Sequence, residues 1–303
     1  MIRFAAFAAA IASFVSVGAS GADSAAVAHN VRTAHFLSAS LNNEDHAFSV
    51  ILPLDYDSST ARYPVLYLLH GYAFDHTAWS TMSNLTGYAA GREMIIVMPD
   101  GLKSWYVNSA TDAKAKYEDY IAKDLVAYVD SHFRTIPLRR ARAIAGQSMG
   151  GYGAALIGLK HYNEFAAIGI LSGALGAAHG GDLPANPGPA ARRQIEERDA
   201  RFGKPGSEER KQRDPFDLVT KVPPSLMPML YIADGGEDPT IKVNHEFVAL
   251  LASLNIPYEF REVSPRAHTW DFWDEQIRAF LEKLDSLAGF DAGTGPSRRD
   301  PLR

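Results

Sequence analysis

An α/β architecture, with a mainly parallel central sheet flanked by helices on both faces and opened by an antiparallel hairpin, follows from three features of the 303-residue chain. Short continuous apolar runs recur, each closed by glycine or a turn former, and such runs are strands buried on both faces. Longer amphipathic segments lie between them, and strands alternating with helices imply a parallel sheet. One run, Ala143 to Gly146, breaks into glycines around Ser148 and then resumes with helix-forming residues.

Ala34 to Ser40 and His46 to Leu52 read as two strands joined through Asn42-Asn43, because asparagine tolerates the backbone angles of a tight turn. Tyr63 to Leu69 is a continuous apolar run ending in His70-Gly71, and Met94 to Met98 is another, ending in Pro99-Asp100-Gly101. Tyr117 to Phe133 is an amphipathic helix with Tyr117, Ile121, Leu125, Tyr128 and Val129 on one face and Glu118, Asp119, Lys123 and Asp130 elsewhere. Phe165 to Leu171 is a strand ending at Ser172-Gly173. Met229 to Ala233 resumes the sheet, and Ile241 to Leu254 is a helix with Phe247, Val248, Leu251 and Leu254 inward. Tyr258 to Val263 is the last strand and Trp273 to Leu287 the closing helix.

Residues 176–224 interrupt this rhythm, first with Gly and Pro and then with strong charge from Arg192 to Asp214. They read as an irregular excursion near the strand ends, with a short helix near Ala190 to Arg201. A solvated insertion and a cover over substrate fit it equally. The domain then runs over residues 31–287, and 288–303 is a tail with little to bury, expected to be disordered.

The N-terminus reads Met1-Ile2-Arg3, an apolar stretch from Phe4 to Val17, and small residues from Gly18 to Ala22. This reads as a secretory signal peptide over residues 1–22, with cleavage after Ala19 or Ala22; its apolar segment is too short to span a bilayer comfortably, and an uncleaved membrane anchor is the alternative. A secreted or periplasmic protein without stable membrane association is expected. At 47% hydrophobic and 21% charged residues the chain can build a sizeable core. A formal net charge of −5 and no long basic run give no reason to expect nucleic acid as a partner. Zero cysteines exclude disulfides, thiolate metal sites and a cysteine nucleophile.

Gly146-Gln147-Ser148-Met149-Gly150 has the G-x-S-x-G form of a strand-to-helix elbow, in which small neighbours let the turn close and expose the serine hydroxyl. The pattern is short enough to arise by chance, so its surroundings carry the claim. A serine nucleophile needs a base within hydrogen-bond reach and a carboxylate that holds the base in the right tautomer. His268, in the loop between the last strand and the closing helix, is the best placed of the ten histidines. His132, His161 and His245 fall within or at the ends of helices, where capping or exposure suits them better. Asp234, Glu237 and Asp238 crowd the loop after Met229 to Ala233, and spacing alone leaves the acid open among them. Asp234 could bond the turn, and Asp238 could cap the following helix. The order Ser, Asp, His is that of α/β-hydrolases. An oxyanion needs preorganised N–H donors: Met149 N–H, at the start of a helix, and Tyr72 N–H, after His70-Gly71, are the candidates. No H-x-x-x-H or H-E-x-x-H spacing supports a metal.

Several blocks together resemble the putative esterase family of α/β-hydrolases, which includes esterase D (S-formylglutathione hydrolase), tributyrin and feruloyl esterases and mycolyltransferase relatives. Leu66 to Tyr72 is similar to the family's oxyanion strand, and Ser104-Trp105-Tyr106-Val107-Asn108 to its pocket wall. Tyr117 to Ile121 followed by Gly146 to Ala154 resembles its helix-then-elbow signature, and Gly236-Glu237-Asp238 with Asn244, then His268 to Trp273, completes the match over Val31 to Leu284. The resemblance implies an α/β-hydrolase fold, Asp238 as the acid, and a serine carboxylesterase acting on a small-molecule or glycan-linked ester without cofactor. Trp105, Tyr106 and Trp270 are expected either to line the pocket or to pack in the core, the two readings standing equal. Gln147, Tyr72 and residues 176–189 depart from the pattern and leave the substrate open. Acyl transfer to a sugar or alcohol, and a non-catalytic binding protein on the same scaffold, are the rival readings.

Overall fold

The computed structural model describes residues 31–179 and 188–290. The expected signal peptide, most of the expected tail and residues 180–187 of the excursion lie outside the described residues. Eight strands form one sheet in the order β1-β2-β4-β3-β5-β6-β7-β8. They are β1 (Val31–Ser38), β2 (Glu44–Ile51), β3 (Val65–Leu69), β4 (Ile95–Pro99), β5 (Arg142–Gln147), β6 (Ala167–Leu171), β7 (Met229–Gly235) and β8 (Glu259–Val263). β1 and β2 pair antiparallel, with Val31 opposite Ile51, and β2 pairs antiparallel with β4. From β4 through β3 to β8 every pairing is parallel. Asn42 and Asn43, both at φ 58°, make the opening turn in the left-handed region asparagine tolerates.

Strand side chains alternate between two cores, which is why the central strands read as unbroken apolar runs. Val65, Tyr67 and Leu69 of β3 enter one core, and Leu66 and Leu68 the other. The first core is closed by α1 (Val126–His132), α2 (Met149–Lys160), α3 (Pro189–Phe202) and α4 (Ile241–Ser253), the second by α5 (Trp270–Asp285). From Met149 to Leu159, α2 is buried on all sides. Among the described residues no helix is long and apolar enough to cross a membrane.

Four expectations need correction. The helix expected over Tyr117 to Phe133 contains a π-helical turn at Tyr120–Leu125. Glu118, expected off the apolar face, is buried: it precedes the π turn and has Ile121 and Leu125 at i+3 and i+7, on the face that packs inward. It is bound by Lys160 Nζ and His161 Nε2, each at 2.9 Å. Burial pushes its carboxyl up, and these two partners outweigh it to hold Glu118 below its usual range. Leu254, expected inward, is 41% exposed, because α4 ends at Ser253 and Leu254 caps it.

In 176–224 the helix expected near Ala190 to Arg201 is present as α3, and the described residues hold further helices where an irregular path was expected. The segment holds Gly176–His179, α3, Glu208–Lys211 and Pro215–Val219, the last two capped at their N-termini by the Ser207 and Asp214 side chains. Phe202 at the end of α3 is buried against Trp105 and Tyr152, so this segment packs on the body of the domain. Finally, Phe290 is buried in the second core and its N–H bonds to the Leu287 carbonyl, so ordered packing passes residue 287.

Candidate active site

Ser148 sits between β5 and α2 at φ 55°, ψ −115°, a strained conformation for a residue with a side chain. The strain is held from both sides. Its N–H bonds to Leu171 O at 2.9 Å, and its carbonyl accepts from Tyr152 N–H and Ala174 N–H. The turn closes only around small residues: a Cβ on Gly150 would stand 2.4 Å from the Leu69 carbonyl oxygen and 2.8 Å from that of His70. Both are backbone atoms at the end of β3 and cannot step aside. Gly150→Ala is therefore expected to cost about 3 kcal/mol of stability, read as a lower urea midpoint at unchanged slope.

His268 lies in the loop between β8 and α5, and Asp238 in the loop after β7. Ser148 Oγ is 2.9 Å from His268 Nε2, and His268 Nδ1 is 3.0 and 2.9 Å from the two oxygens of Asp238. A carboxylate only accepts, so Nδ1 carries the imidazole proton and Nε2 is left to accept from the serine hydroxyl. Asp238 is 2% exposed. Burial pushes its carboxyl up, but the His268 hydrogen bond and charge, with the Thr240 hydroxyl and amide, hold it below the usual range. Asp234, the alternative acid, is fully buried and turned away toward Thr240 and Asn244. No bond joins Glu237 to His268 among the described residues.

The loop after β3 is pinned from several directions. His70 Nδ1–H donates to Gly71 O at 2.8 Å, while Nε2 accepts from Gly101 N–H at 2.9 Å, which fixes the neutral tautomer. Tyr106 O–H donates to His70 O at 3.0 Å, and Trp79 Nε1–H to Leu69 O at 3.0 Å. Tyr72 N–H, next in the chain, and Met149 N–H, at the start of α2, have no other hydrogen-bond partner among the described residues.

The three expected pocket residues divide. Tyr106 is fully buried, its ring under Gly101 and Gly153, and it is a packing residue rather than a pocket wall. Trp105, half-buried, stands edge-on to Tyr152 and Phe202 and packs against Tyr72, itself 45% exposed. Trp270 is half-buried in an aromatic group with Phe74, Trp79 and Trp273.

Sequence reasoning missed Trp273. Its ring meets that of His268 edge-on at 4.9 Å, and its Nε1–H donates to Ser172 Oγ at 2.9 Å, so it walls the imidazole from behind. Its position one helical turn after Thr269 was the available signal. A surface cleft of about 530 Å³, lined by Thr111, Glu196, Asp199 and Lys204 among others, lies apart from Ser148, His268 and Asp238. Among the described residues no group of three or more His, Asp or Glu could hold a metal ion.

The family model described as Putative esterase matches residues 38–284. An esterase of Mycobacterium tuberculosis is 37% identical over 129 residues, covering 41% of this chain and 28% of the relative. The chain thus spans less than a third of that relative's length. An acetyl esterase of Caldicellulosiruptor saccharolyticus is 28% identical over 237 residues, covering 77% of this chain and 87% of the relative. Among solved structures, a substrate-bound fluorophosphonate-binding serine hydrolase of Staphylococcus aureus matches with a TM-score of 0.70 at 27% identity, over 84% of this chain and 97% of that one.

Proposed function

This chain belongs to the putative esterase family and has its α/β-hydrolase fold, and we propose that it is a secreted serine carboxylesterase working through Ser148, His268 and Asp238. The observation that carries the reading is the unbroken hydrogen-bonded line from Ser148 Oγ through the His268 ring to Asp238. Ser148 Oγ attacks the ester carbonyl carbon as its proton passes to His268 Nε2. The imidazolium that forms is stabilised and kept in orientation by the Asp238 carboxylate. The Met149 and Tyr72 amides, unused by other groups, receive the oxyanion, and the positive end of the α2 dipole adds to them. His268 then protonates the leaving alkoxide, and the Ser148–acyl ester remains. Water, deprotonated by the same imidazole, attacks that ester and frees the acid. Every step is proton transfer or acyl transfer among these groups, so the chemistry calls for no cofactor.

On this reading Trp105, beside Tyr72, and Trp270, beside Trp273, contact parts of a small-molecule or glycan-linked ester. A panel of p-nitrophenyl and methyl esters, varied in acyl length and including aromatic acyl groups, tests the reading. Turnover of at least one class to free acid is expected; no turnover of any, with no reaction toward a fluorophosphonate, contradicts it. Product analysis with a competing alcohol or sugar separates hydrolysis from acyl transfer, and free acid as the main product is the expected result.

A further inference from the structure

Thr240 stands between two buried carboxylates. Its Oγ1 lies 2.6 Å from Asp238 Oδ1 and 3.1 Å from each oxygen of Asp234. A hydroxyl carries one proton, and an ionised carboxylate carries none. If the Thr240 proton goes to Asp238, an ionised Asp234 opposes its lone pairs to those of the Thr240 oxygen. If it goes to Asp234, Asp238 does the same at the shorter distance. Both contacts are attractive together only when Asp234 carries a proton of its own, donates it to Thr240 Oγ1, and Thr240 donates onward to Asp238.

We propose that Asp234 is a protonated positioning residue: through Thr240 it commits a hydrogen bond to Asp238 and so keeps that carboxylate ionised and aimed at His268. The inference rests on the Ser148–His268–Asp238 reading and adds a fourth and fifth member behind it.

The rest of the surroundings agree. The Asn244 amide donates to both Gly173 O, at 3.0 Å, and Asp234 Oδ2. The Gly235 amide also donates to this carboxyl, and either oxygen, each 3.1 Å from Thr240 Oγ1, is in reach to donate a proton to it. The charged and titratable groups facing Asp234 are few. Asp238 comes from the loop after β7, with His268 beyond it from the loop after β8. Glu262, its register partner on β8, is exposed and bonded to His245. On the α4 side stand the neutral Thr240 and Asn244, and beyond β6 the Gly173 carbonyl. Among the described residues no lysine or arginine is bonded to Asp234. Burial and the adjacent Asp238 charge push the Asp234 carboxyl up to about 8. A carboxylic acid kept neutral by its site so that it can donate a hydrogen bond has precedent in enzyme chemistry.

The test is the pH profile of kcat in Asp234→Ala and Asp234→Asn beside the native protein. Native kcat is expected to fall as pH rises through about 8, when Asp234 ionises, stops donating to Thr240 and sets a second negative charge beside Asp238. Asp234→Ala is expected to lower kcat by about 10- to 100-fold with little change in KM, the effect of losing one buried hydrogen-bond partner. In Asp234→Asn the amide donates to Thr240 and accepts from Asn244, so most of that loss is recovered and the alkaline fall disappears. An alkaline fall that persists in Asp234→Asn, or an asparagine variant no better than alanine, overturns the proposal.

Stability supplies a second readout. The folded-state carboxyl sits above its unfolded range near 4, so its stabilising contribution is full below about pH 4 and is lost as pH rises to about 8. Asp234→Asn removes that slope. Should neither variant fold, infrared spectroscopy of Ser148→Ala decides: the carbonyl band of a buried protonated acid is expected at about pH 7 and gone above about pH 9. Absence of the band overturns the proposal without touching the triad, whereas activity retained by Ser148→Ala sinks the triad without touching the band.

Discussion

Ser148→Ala is expected to abolish ester hydrolysis, lowering kcat by roughly 10⁶-fold, while the protein melts within a few degrees of the native temperature. The large effect follows from the position of one oxygen atom. Among the described residues Ser148 Oγ is bonded to His268 Nε2 alone, so removing it takes away the attacking atom and no structural contact. The strained backbone at φ 55° is imposed by the turn between β5 and α2, and alanine meets the same angles at about the same cost. Residual hydrolysis comes only from substrate held against the Met149 and Tyr72 amides. Initial rates on the best ester of the panel, with a melting curve of the same preparation, measure both parts of the expectation.

Asp238→Asn is expected to cost about 10⁴-fold in kcat with KM little changed. Thr240 makes this variant unusually informative. Its N–H and its hydroxyl both donate to Asp238 Oδ1, at 2.9 and 2.6 Å. In the asparagine variant those donors select the amide oxygen for that position and turn the NH2 toward His268 Nδ1. The imidazole then has to accept there, its proton moves to Nε2, and Nε2 can no longer take the serine proton. A loss smaller than about tenfold means that another carboxylate orients His268.

Where the site residues stand along the chain could be read from residue order, because in a parallel sheet the loops at one edge meet, whatever their separation in sequence. That brings the ends of β5, β7 and β8 together, and with them Ser148, Asp238 and His268. Choosing among Asp234, Glu237 and Asp238 was beyond spacing. Between the two aspartates the chain makes a tight Gly235-Gly236 turn, where a Cβ on Gly235 would stand 2.3 Å from the Arg266 carbonyl oxygen. Nothing in the spacing encodes that close approach. The resemblance to a family pointed to Asp238, and the geometry turns Asp238 toward His268 and Asp234 toward Thr240.

Other features were hidden for physical reasons of the same kind. Glu118 reads as off the apolar face because it is a carboxylate, although helical spacing sets it beside Ile121 and Leu125, where Lys160 and His161 partner it under α2. Tyr106 neighbours Trp105 in sequence, but both residues have positive φ, at 55° and 61°. That local reversal sends one ring into the core and leaves the other half-buried. Apart from α3, the helices described in 176–224 are only four or five residues long and highly charged in part, so they read as irregular chain. Their anchoring is a few buried groups, among them Phe202 and Arg210, the latter held by Ala178 O, Gly203 O and Asp199.

The most direct measurement is the location of the covalent adduct. The native protein is treated with a fluorophosphonate, digested, and the modified peptide sequenced by mass spectrometry. A single adduct on Ser148, absent from Ser148→Ala and strongly slowed in Asp238→Asn, is the expected result. An adduct on any other residue, or full esterase activity surviving in a protein whose Ser148 is completely modified, contradicts the proposed mechanism.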